Sequence, residues 1–89
     1  IHGVIEVKEV DHAFRLPRKN MTTESVAKLT KRQLAGGAIY IAVYHTPVKQ
    51  WRVLGLAPFR VREGGSWDLS AVRVHPSAKA ALDSLGLFI

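Results

Sequence analysis

Four histidines are the side chains best suited to moving protons: His2, His12, His45 and His75. No two stand at the i, i+4 spacing that sets a pair of imidazoles on one helical face around a zinc ion. His45 and His75 each end a predicted strand. If those ends met, the two rings could cleave RNA by general acid–base catalysis without a metal, a nearby Lys or Arg steadying the phosphorane. Neither ring has a carboxylate at an orienting distance in sequence, Asp68 and Asp83 being the nearest to His75. Asp11-His12 reads either as an oriented base or as a turn. With no Cys the chain has no thiolate nucleophile, disulfide or thiolate zinc site. No Ser carries nucleophile-elbow glycines, and Gly36-Gly37 and Gly64-Gly65 lack the context of a phosphate loop. No catalytic residue, metal ligand or cofactor is therefore assigned, and His45 and His75 are expected to be dispensable.

The cations carry more. Thirteen Lys and Arg against seven Asp and Glu give a net charge of +6, which attracts polyanions and also suits the solubility of a small domain. Arg52, Arg60, Arg62 and Arg73 fall on three successive predicted strands. Facing away from the helices, they would make the open side of a sheet cationic, and the guanidinium fork matches phosphate and guanine edges. Trp51, Trp67, Tyr40 and Tyr44 are interleaved with them and could stack on unpaired bases, unless they fill the core. A second basic group joins Lys28, Lys31 and Arg32 on a helix to Arg15, Arg18 and Lys19 in the connector before it. Its alternative is an ordinary solvated helix face.

These side chains need elements to hold them. Val4 to Val10 mixes β-branched and charged residues, the pattern of an exposed or edge strand. Phe14 and Leu16 extend it past a break, and a polar connector follows. Thr22 is a suitable N-cap for a helix with Glu24 in its first turn, a Met21–Val26 staple, Val26, Ala27, Leu29 and Leu34 as its apolar stripe, and Gly36-Gly37 as its stop. Ala38 to Tyr44 is apolar throughout and reads as a central strand buried on both faces. Trp51 to Leu56 is the next strand. Phe59-Arg60-Val61-Arg62 alternates, which puts Phe59 and Val61 inward and both arginines outward. Glu63 to Ser66 is a hairpin turn, Trp67 to His75 the last strand, and a helix opened by Pro76 runs to Leu85.

The expectation is one small α+β domain: an antiparallel meander of three or four strands, an added N-terminal strand, and two helices on one face. No run of about 18 apolar residues provides a membrane span. The chain begins at Ile1, which suggests a processed protein or a piece of a longer one, and its first residues lack a signal-peptide layout. A cysteine-free chain fits the cytoplasm. The helix, the meander and the Ala-rich helix Ser77-Ala78-Lys79-Ala80-Ala81-Leu82 resemble, over residues 22–86, the order of the double-stranded-RNA-binding domain. There a Lys-Lys-x-Ala-Lys run opens the last helix, and here Lys79 stands alone. The meander and final helix also look like sheet-reading DNA-binding domains of the integrase-arm type. Three functions follow from the residues: a nucleic-acid-binding module; a protein-interaction domain docking through Leu87, Phe88 and Ile89 or a sheet edge; and a small metal-independent ribonuclease or toxin module.

Overall fold

A computed structural model of the chain describes residues 3–61 and 64–86. In chain order the elements are β1 (Gly3–Val10), β2 (Arg15–Pro17), α1 (Thr23–Leu34), β3 (Ala38–His45), β4 (Gln50–Gly55), β5 (Ser66–Asp68), β6 (Val74–His75) and α2 (Ala78–Asp83), with 3-10 turns at Arg18–Asn20 and Ala57–Arg60. The fold is α+β, with a four-stranded sheet ordered β1-β3-β4-β6 and a two-stranded ribbon of β2 and β5.

Helix α1 starts where its chemistry predicts. The Thr22 hydroxyl accepts the Ser25 N–H at 3.1 Å, and Gly36 takes φ +102° just past the helix end. Val26 and Leu29 are buried, whereas Ala27 and Leu34 face water, so the apolar stripe is narrower than expected. A twelve-residue helix spans about 18 Å and, with the connectors on either side, carries the chain back along β1, a strand of about 26 Å. For that reason β3 lies parallel to β1, from Gly3 opposite Ala38 to Val10 opposite His45. The sheet is mixed, not a pure meander; only β3, β4 and β6 run antiparallel.

The two helices take opposite faces of this sheet. Ile39, Ile41 and Val43 of β3 join Val26 and Leu29 of α1 in the main core, with Val10, Leu16, Met21, Leu56, Phe59 and Leu69. On the other face, α2 lays Ala78, Ala81 and Leu82 beside Ile5, Val7, Ala42 and Trp51 around an apolar hollow of about 260 Å3. The chain enters α2 directly from the edge strand β6, and Ser77 caps it by accepting the Ala80 N–H at 3.1 Å, so the helix begins after Pro76 rather than at it. The helix is a turn shorter than expected, ending at Asp83 before Gly86 at φ +68°.

Two predicted strands do not form. Pro58 occupies the start of the 3-10 turn Ala57–Arg60, where its fixed φ suits a helical turn and its missing N–H suits no ladder. Phe59 is fully buried and meets Trp67 edge-on at 5.0 Å, while Val61 is 57% exposed rather than inward. The stretch from Trp67 to His75 divides because the Asp68 carboxylate accepts the Ser70 N–H at 2.9 Å and turns the chain. Before that turn, β5 pairs with β2, Leu16 opposite Trp67; after it, β6 pairs with β4, His75 opposite Trp51. The three-stranded meander behind the resemblance to the double-stranded-RNA-binding domain is thereby interrupted.

Candidate nucleic-acid interface

Register decides what Arg52 can do. It stands opposite Val43, on the face that α1 covers, and is 7% exposed. Its Nε donates to the Val72 carbonyl and a terminal nitrogen to the Ala13 carbonyl, both at 3.1 Å. The guanidinium thus bridges the loop after β1 to the loop before β6, and two of its N–H donors are spent inside the fold. Burial lowers its pKa, against the raising effect of the nearby Asp68 carboxylate. Among the described residues no open cationic sheet face forms. Tyr40, Tyr44 and Trp51 are half-buried on the opposite face of the sheet from Arg52, with Tyr44 and Trp51 4.9 Å apart. Trp67 packs on Phe59 and donates its indole N–H to the Val61 carbonyl at 2.9 Å.

The other predicted residues scatter. Arg73 is exposed just before β6, and Lys19 is exposed on the turn Arg18–Asn20. Arg18 beside it is half-buried, with one terminal nitrogen sealed from solvent and without an acceptor among the described residues. Arg15 pairs with Asp68 at 3.7 Å across the β2–β5 ribbon. Hydrogen bonds from Ser70, then Arg15 and Arg52, hold the Asp68 carboxyl below its ordinary pKa. Arg62 lies outside the described residues, as do His2 and the apolar tail Leu87, Phe88 and Ile89.

The cations of α1 do come together. Lys28, Lys31 and Arg32 stand at i, i+3 and i+4, which sets them on one side of the helix, all exposed. With Ser25, Leu29 and Ala35 they line an open cleft of about 640 Å3 between α1 and β1, whose far wall carries Glu6. Lys28 reaches Glu24 at 3.9 Å, a long and fully hydrated pair, and Glu6 pairs with Lys8 at 3.4 Å. Lys31 and Arg32 enter no ion pair among the described residues. Arg60 meets the same helix on another side, about 100° round the axis from Arg32: it is exposed, and from the turn Ala57–Arg60 its guanidinium donates to the Gln33 amide oxygen at 2.9 Å. The sequence reading missed Gln33 as the residue that ties Arg60 to α1. Nothing in a lone glutamine on a helix signals such a partner.

The described histidines do not converge. His45 is on the α1 face with no exposed surface, and its Nδ1–H donates to the His12 carbonyl at 2.7 Å. That bond leaves Nε2 as an acceptor, buried and without a partner among the described residues. Burial lowers the His45 pKa more than the carbonyl raises it, with Arg52 and His12 lowering it further. The ring is thus neutral and serves to pin the loop after β1. His75, also buried, stands opposite Trp51 on the other face of the sheet. Two rings separated by a sheet cannot share one phosphodiester. Asp11-His12 forms a turn: His12 Nδ1 accepts the N–H groups of Phe14 and Arg15 at 3.2 and 3.1 Å. No helix among the described residues is long and apolar enough to cross a membrane. A scan of protein-family models finds no match to this chain, and searches of curated proteins and of solved structures find none either.

Proposed function

We propose that this domain binds nucleic acid through the phosphate backbone, using Lys28, Lys31, Arg32 and Arg60. The observation that carries the reading is the cationic side of α1 beside an open cleft. Lys28, Lys31 and Arg32 share that side, and Arg60 is fixed to the same helix, further round its axis, by Gln33. Exposed, hydrated cations suit phosphate contacts that position a strand without reading its sequence. Holding Arg60 on Gln33 orders its side chain in advance and lowers the entropy lost on contact. Arg73 and Lys19 are peripheral contacts, whereas Arg52 is spent inside the fold and Arg18 is half-buried. A cytoplasmic location accompanies this reading, a cysteine-free chain fitting a reducing compartment.

The test is fluorescence anisotropy with duplex DNA, duplex RNA and a single strand at two salt concentrations. Each phosphate neutralised contributes about 0.9 to the salt slope on duplex DNA. The triple variant Lys28→Ala/Lys31→Ala/Arg32→Ala should therefore flatten the slope by about two to three units and weaken all sequences alike. Arg60→Ala should remove about one unit more. Absence of binding by the parent protein at about 50 mM salt, where such contacts are strong, ends the proposal. So does a triple variant with unchanged affinity.

A further inference from the structure

Strand β1 ends the sheet, bonded to β3 on one side and to no strand on the other among the described residues. An edge of eight residues without proline presents a row of unpaired backbone groups to any strand that fits it. Its apolar side is only partly covered by α2. Val7 is 59% exposed at the rim of the hollow that holds Ile5, Ala42 and Trp51. The charges along the edge are Glu6 and Lys8 on the α1 face and Glu9 on the other.

We propose that β1 pairs antiparallel with β1 of a second copy about a two-fold axis through Val7. Directly opposed residues in an antiparallel pair share both a sheet face and a backbone direction, so the axis must pass through a residue and not between two. Centring it on Val7 sets Glu6 against Lys8 and Lys8 against Glu6, two complementary charge pairs from one sequence. Val4 then meets Val10, and the pairing runs the length of the strand. Axes through Glu6 or Lys8 oppose like charges, and one through Ile5 leaves Lys8 and Glu9 unpaired. A parallel, in-register pairing sets every charge against its own copy. The Val7 axis sets Glu9 beside Ile5, yet it alone opposes unlike charges, and it covers Val7 and joins the two apolar hollows into one strip. The result is a continuous eight-stranded sheet with an isologous interface.

Two paired strands make a small interface, so the association is concentration-dependent. Sedimentation velocity without nucleic acid, from about 5 to 500 μM, should show the 9.8 kDa chain passing to twice its mass. Glu6→Lys and Lys8→Glu each bring like charges together twice in a homodimer and should weaken it by about tenfold or more. Mixing the two variants should restore the dimer as a mixed species, because lysines of one then face glutamates of the other. The double variant Glu6→Lys/Lys8→Glu should self-associate like the parent protein. Thermal melts of the single variants establish that they are folded, and the rescue by mixing excludes a folding defect. A parent protein monomeric throughout the range, swaps without effect on a dimer, or a mixture that stays monomeric would each overturn the proposal.

Discussion

Replacing Arg52 by methionine removes a buried guanidinium and keeps most of its aliphatic stem in place. The guanidinium holds two carbonyls, Val72 and Ala13, from loops on either side of the β2–β5 ribbon, each at 3.1 Å. A hydrogen bond from a charged donor contributes about 1.5–3 kcal/mol net. Both acceptors are half-buried, so water partly replaces the lost donor and the lower end of that range applies. Two such bonds make about 3 kcal/mol, reduced somewhat because the cost of burying the charge disappears with it. The expected loss is about 2–3 kcal/mol. A domain of this size has a total stability of roughly 4–13 kcal/mol, so the loss is severe. It lowers Tm by roughly 10–20 °C. Arg52→Lys keeps the charge, but one ammonium cannot reach both carbonyls, so it falls between the two. The assay is urea unfolding at pH 7 followed by tryptophan fluorescence, with duplex binding measured on the folded variant. A midpoint within error of the parent protein refutes the structural role. Lost duplex affinity at unchanged stability refutes it too, and returns Arg52 to the binding surface.

The other predictions concern the site's supports. His45 binds a proton less readily folded than unfolded. Its neutral form therefore contributes stability that is complete above the ordinary histidine value near 6.5, and that contribution declines as pH falls below it, by up to about 1.4 kcal/mol per pH unit. His45→Gln keeps a donor for the His12 carbonyl and should lose that slope between pH 7 and 5; parallel urea midpoints for both proteins count against it. Phe59→Ala should cost about 3–5 kcal/mol and shift the tryptophan emission to the red, because Phe59 is fully buried against Trp67. A surface strand position would lose under 1 kcal/mol. Thr22→Ala should cost about 1 kcal/mol in a thermal melt, and Thr22→Asp almost nothing, since either oxygen can cap the Ser25 N–H.

Local rules sufficed for the elements whose stabilising contacts lie within a few residues. The cap at Thr22, the glycine stop at Gly36 and the strand from Ala38 could be read directly, because a hydroxyl, a positive φ and a β-branched run act over one turn. So could the grouping of Lys28, Lys31 and Arg32, which needs only the helical period. Alternation along a strand assigns residues to two faces but not which face is covered, and here α1 covers the one bearing Arg52. That assignment depends on pairing Arg52 with Val43 and on carbonyls at Ala13 and Val72, 39 and 20 positions away in sequence. The Phe59–Arg62 stretch alternates like a strand, and the Trp67–His75 run follows a turn signal that suits a hairpin. Pro58 and Asp68 turned both aside, and which turn won was decided by the burial of Phe59 and by the partners β2 and β4. Arg60 reached the candidate site for the same reason: the turn that buries Phe59 carries it to Gln33, a contact between residues 27 apart that only the packed chain creates.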